Sequence, residues 1–179
     1  MIRKIAFLTI ILILLSFNGC GEGGVYNDDG QKAEARLKQV IEAVENHDKD
    51  VLRSMFSEQA LNEAEDLDGR MEYLFGFVQG DIKAWEMIGG GGGGVNNYGH
   101  AVLKSRYWYT VKTDKEDYLF FLYEYTEDTD HPDNVGLYML QVIKAGDRHT
   151  QFDGGQDILC PGIYRPEETD VEVSEPENQ

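Results

Sequence analysis

AVLKSRYWYTVKT, residues 101–113, is the stretch whose reading decides the fold. It places Ala101, Leu103, Ser105, Tyr107, Tyr109 and Val111 on one face, and Val102, Lys104, Arg106, Trp108, Thr110 and Lys112 on the other. A period of two sustained over such a length is a long antiparallel strand with one face buried. Downstream, residues 113–117 form a polar turn, 118–125 a second strand, 127–134 an acidic turn and 135–145 a further strand. Upstream, residues 82–87 read as a short strand. The six consecutive glycines at 89–94, with residues 95–97, read as a loose surface loop, because glycine carries no conformational preference to hold regular structure. No Lys-Ser/Thr pair and no helix follow the run, which excludes a phosphate-cradling loop.

Before the strands the period is helical. Ala33, Leu37, Val40, Ile41 and Val44 make one stripe of an amphipathic helix over residues 31–46. His47 and Asp48 break it, and Asp48 can cap a short helix with Val51, Leu52, Met55 and Phe56 facing inward. Ser57 caps a third piece carrying Ala60, Leu61 and Ala64. A fourth helix, 68–78, buries Met71, Leu74, Phe75 and Val78 and ends at Gly80. Helices first and a strand meander after them imply an α+β domain: N-terminal helices packed on a curved antiparallel sheet of about four strands.

The ends have a different character. Residues 1–19 carry a positive start, Arg3 and Lys4, and an apolar run over 5–15 that is too short to span a hydrocarbon core of about 30 Å. Gly19-Cys20 follows directly and resembles a bacterial lipobox. That resemblance implies a signal peptide over 1–19, a diacylglycerol and palmitate-type anchor on Cys20, and attachment to the extracytoplasmic face of the cell membrane. Residues 20–30, rich in Gly and Asp, read as a flexible tether. The span 31–165 is the folded domain, and 166–179 an acidic disordered tail. A lipidated Cys20 cannot pair with Cys160, so Cys160 is expected as a free, buried, inert thiol.

The chain has a net charge of −17 with no cluster of Lys or Arg, which argues against nucleic acid as a partner. The histidines (47, 100, 131 and 149) are scattered without ligand spacing, and the EDTDHPDN turn lacks the Gly and Glu of a calcium loop. No metal site, no cofactor and no catalytic residue is expected from these patterns.

In cadence and element order the span 31–145, with ENHDKDVLRSMFSEQAL at its centre, resembles the nuclear-transport-factor-two-like superfamily, an α+β cone. More narrowly, TVKTDKEDYLFFLYEYTEDTDHPDNVGLYMLQVIK and CPGIYRPE look like a family of clostridial-type lipoproteins with a domain of unknown function. These resemblances imply a fold and a location, and no activity. A cone encloses a pocket on the concave sheet face. Tyr107 and Tyr109 with Tyr123, Tyr125 and Tyr138 on neighbouring strands, and Trp85 after the last helix, are the candidates to line it around a small amphipathic ligand. The competing reading makes the same rings core and cross-strand pairs. Function is therefore read as a non-enzymatic module that engages a ligand or an envelope protein. The alternative is a small isomerase- or dehydratase-like enzyme with a tyrosine-lined cavity, for which Glu124 and Glu86 are the strand carboxylates, both expected at the rim or in solvent.

Overall fold

The computed structural model describes residues 28–166. The expected signal peptide, lipidated Cys20, most of the tether and nearly all of the acidic tail lie outside them. Four helices come first: α1 (Asp28–Glu45), α2 (Lys49–Ser54), α3 (Glu58–Glu63) and α4 (Leu67–Phe77). Strands β1 (Ile82–Asn97), β2 (His100–Thr113), β3 (Asp117–Asp128) and β4 (Gly136–Lys144) follow, then a short helix α5 (Arg148–Gln151) and β5 (Gly162–Ile163).

The helix starts obey the capping chemistry. Asp48 accepts from Val51 N–H at 2.9 Å and Ser57 from Ala60 N–H at 3.1 Å. The α1 stripe is buried as read, Ala33 through Val44. The helix begins at Asp28, inside the expected tether, and Gly30 is already buried. Val51 departs from expectation: it is 43% exposed, because the short α2 touches the core only through Leu52, Met55 and Phe56.

The sheet has order β1-β2-β3-β4-β5, one strand more than expected, with the β4–β5 pairing parallel and the others antiparallel. The larger correction is at the glycines. Residues 89–97 are not a loop but the continuation of β1, paired with β2 from Gly89↔Trp108 to Asn97↔His100. The hairpin closes through Tyr98 and Gly99, both at positive φ (49° and 90°), the two-residue turn that suits the strand twist. Cross-strand pairing thus overrides the weak preference of glycine. Packing explains part of the run: a Cβ at Gly89 would enter the Trp108 ring, one at Gly94 would meet the Val102 carbonyl, and Gly90 needs φ +132°. Gly91 and Gly93 have open space where a Cβ would stand.

Both sheet faces carry a buried cluster, which the single alternation did not foretell. One face packs on the helices through Tyr107, Tyr109, Val111, Tyr118, Phe120, Leu122, Leu140 and Val142. The far face buries Leu119, Phe121, Tyr123, Met139 and Ile143 beneath Phe152, Ile158, Cys160 and Tyr164 of the C-terminal segment. The β4 edge is closed by β5 and by a parallel bridge from Phe56 to Leu137. Among the described residues no strand pairs with the outer edge of β1.

Candidate functional site

Register divides the candidate residues between the two faces. Tyr107 opposes Leu122 and Tyr109 opposes Phe120, so both phenols point into the helix-facing core. Arg106 opposes Tyr123, which puts Tyr123 on the far face with Tyr125. A bulge between Tyr123 and Glu124 turns Tyr138 so that its ring meets both of theirs edge-on, at 5.7 Å and 6.3 Å. The five residues therefore line no common cavity. The face of a strand is legible in sequence, but which residue of the next strand stands opposite is a matter of register.

Trp85 and Tyr109 do come together. With Glu34, Glu86 and Met87 they line a cleft of ≈ 260 Å³ at the β1 edge. Lys38 reaches over the Trp85 ring at 5.9 Å while paired with Glu34 at 2.8 Å. Tyr109 is buried to 1% exposure, and its hydroxyl has no hydrogen-bond partner among the described residues. Burial first, then the nearby Glu34, Tyr107 and Glu124, push its ionisation far above the usual phenol value. Beyond this cleft the helix-facing side of the sheet is filled: Tyr107, Val111 and Leu122 are all buried against the helices.

Glu124 does not sit at the rim. It is 6% exposed, accepts from Arg36 Nε at 3.1 Å and lies 3.5 Å from the Ser105 hydroxyl. A carboxylate so engaged is neutralised in place rather than left as a free base. Glu86 belongs to the exposed part of β1. Cys160 is free and partly buried. Burial raises its thiol above the ordinary value against the opposing charge of Arg70, which leaves it little thiolate character.

The far face holds a cluster built on Lys104 and Arg106, which alternate on one face of β2. Lys104 lies over the Tyr125 ring at 4.6 Å, and the Arg106 guanidinium over Tyr123 at 4.7 Å. The two tyrosine rings are 5.8 Å apart. Burial raises the Tyr123 phenol, but hydrogen bonds from Tyr125 and Arg106 and the charge of Lys104 outweigh it, so its ionisation is lowered overall. Burial raises Tyr125. Tyr138, donating to Glu63 at 3.2 Å, is pushed up to about 12 by burial and by that carboxylate. Among the described residues neither Lys104 nor Arg106 forms an ion pair with a carboxylate. Directly opposite them on β1 stand Gly93 and Gly91. The signal available in sequence was Lys104, Arg106 and Trp108 sharing a face beside a side-chain-free strand.

The acidic turn is structural: Asp128 accepts from the N–H groups of Asp130 and His131 and from Asn134 Nδ2. Among the described residues no group of His, Cys, Asp and Glu is arranged to hold a metal, and no helix is long and apolar enough to cross a membrane.

No curated protein matches the chain. A family model described as a domain of unknown function, DUF5104, matches residues 39–145, which run from within α1 to the residue after β4. That match covers more than half of the sequence, and the chain belongs to this family.

Proposed function

We propose that the protein is a membrane-anchored, extracytoplasmic lipoprotein whose domain, a cone of the nuclear-transport-factor-two-like kind, is a non-enzymatic interaction module. The anchor reading rests on the apolar run ahead of Gly19-Cys20. The interaction reading rests on one observation: the helix-facing side of the sheet is filled by its own side chains, with Tyr107 7%, Tyr109 1% and Val111 0% exposed. A filled cone leaves its outer surfaces to do the recognising. An enzyme of this fold would need a free carboxylate facing a proton donor inside the cone. Glu124 is bound by Arg36 and Glu34 by Lys38.

A second reading, a small amphipathic ligand at the Trp85–Tyr109 cleft, draws on the partnerless Tyr109 hydroxyl. The two differ in where contact occurs. A photoreactive amino acid placed at Gly93 on the sheet, or at Trp85 in the cleft, separates them in intact cells. The expected outcome is a membrane-fraction protein adduct from position 93 and none from 85. Adducts at neither position, or equally at both, would contradict the interaction reading. The anchor has its own control: Cys20→Ala should abolish fatty-acid labelling, and undiminished labelling would sink it.

A further inference from the structure

The β1 edge, the glycine gap and the paired cations lie side by side, and their combination points to a specific mode of contact. A sheet edge presents unpaired N–H and C=O groups, and folded proteins ordinarily blunt it with charge, proline or a covering element. The β4 edge is covered by β5 and by the Phe56 bridge. From Met87 to Asn97, β1 carries no charged residue and no proline, and its register with β2 is unbroken from Gly89 onward. Gly89, Gly90 and Gly94 are required by packing or by φ, but Gly91 and Gly93 are not. What their lack of a side chain does is clear the far face between the outer edge and β2.

We propose that the open edge of β1 takes up an extended, acid-bearing segment of a partner polypeptide as an added strand, with alternate carboxylates passing over Gly91 and Gly93 to Arg106 and Lys104. The inference rests on the interaction reading above and names its partner chemistry. Adjacent strands lie about 4.8 Å apart, so an added strand stands two spacings, about 9.6 Å, from β2. Side chains on an intervening strand would ordinarily fill that space. Here there are none, and long side chains can meet across it. Successive residues on one strand face are two apart, which matches a segment with acids at alternate positions.

Charge selects the partner. In a chain with 33 acids against 16 bases, two neighbouring cations without a carboxylate partner among the described residues are conspicuous. The rings of Tyr123 and Tyr125 hold them in place, and of the five N–H donors of a guanidinium those not engaged with the Tyr123 phenol stay available to an acceptor. The acid surplus elsewhere is screened over about 8 Å at physiological ionic strength, so the local pair governs what meets this strip.

The test uses the full chain in detergent micelles and two capped heptapeptides, one alternating Val and Glu, the other Val and Lys. The Val–Glu peptide should bind, and the Val–Lys peptide should bind at least about tenfold more weakly. Gly91→Val with Gly93→Val should weaken Val–Glu binding about tenfold or more without lowering the melting temperature, and Lys104→Gln with Arg106→Gln should do the same. Should the valine pair perturb the fold, Gly91→Ala with Gly93→Ala repeats the test with a smaller group. No binding by the Val–Glu peptide, equal binding by the Val–Lys peptide, or undiminished binding to a folded glycine variant would overturn the proposal. A chain that dimerises without peptide, and becomes monomeric in the glycine variant, would place a second copy on the edge and overturn the acidic partner. If the peptides fail while position 93 still crosslinks in cells, the interaction reading stands and strand addition falls.

Discussion

The Arg106 guanidinium lies 4.7 Å over the ring of Tyr123, and the two residues face each other across β2 and β3. The stack joins a cation to a phenol whose ionisation is lowered by its neighbours despite burial. In an alkaline absorbance titration Tyr123 is therefore expected among the first tyrosines to ionise. Tyr123→Phe should remove that early step, and Arg106→Gln should move it to higher pH. An early step unchanged in both variants would show that the cations do not act on this ring.

Tyr109 and Tyr118 are both 1% exposed but differ in their hydroxyls. Tyr118 accepts from Gln79 N–H at 2.9 Å and donates to the Phe77 carbonyl at 3.1 Å, whereas Tyr109 has no partner among the described residues. Tyr118→Phe should cost about 1–3 kcal/mol by urea denaturation, because two backbone groups lose their partner. Tyr109→Phe should be neutral or slightly stabilising. A Tyr109→Phe loss as large as that of Tyr118→Phe would mean the hydroxyl is bonded in solution.

The β1 glycines should sort by position. A Cβ at Gly94 meets the Val102 carbonyl, and Gly90 holds a φ of +132°, so Gly90→Val and Gly94→Val should each destabilise severely. Gly91→Val and Gly93→Val should stay within about 0.5 kcal/mol of the parent, since the space is open and valine suits a strand. Equal losses at all four positions would show that the run is not paired as a strand.

These contrasts mark what the sequence could disclose. The caps at Asp48 and Ser57, the α1 stripe and the alternation of β2 are local patterns, and the chain obeys them. The glycine strand was illegible because its stability comes from β2, not from its own residues. The far-face cover, residues such as Phe152, Ile158 and Tyr164, has no period to read, since it meets the sheet as irregular chain. The separation of Tyr107 and Tyr109 from Tyr123 depends on register, which no single strand encodes.

Stability should fall in acid through two turns. Asp128 is held below the usual carboxylate range by Asn134 and by the backbone N–H groups of His131 and Asp130. At Asp153 burial acts upward, but donation from Ile158, Asp157, Gly155 and Gln156 N–H groups prevails and lowers it. A carboxylate lowered on folding contributes fully above its unfolded value, about 4, and its contribution drains away as pH falls through the lower folded value. The urea midpoint should be level from neutral pH to about 5 and decline below about 4, less steeply in Asp128→Asn. An equal decline in parent and variant would remove Asp128 from the account.

The central claim is that recognition occurs on the outer sheet face and β1 edge rather than under the helices. Backbone amide chemical-shift mapping of the full chain during titration with the Val–Glu peptide tests it most directly. Shifts should concentrate on Gly91, Gly93, Lys104 and Arg106, leaving Leu37, Val40 and Tyr109 in place. Shifts centred instead on Glu34, Trp85 and Tyr109 would put the site in the cleft and contradict it.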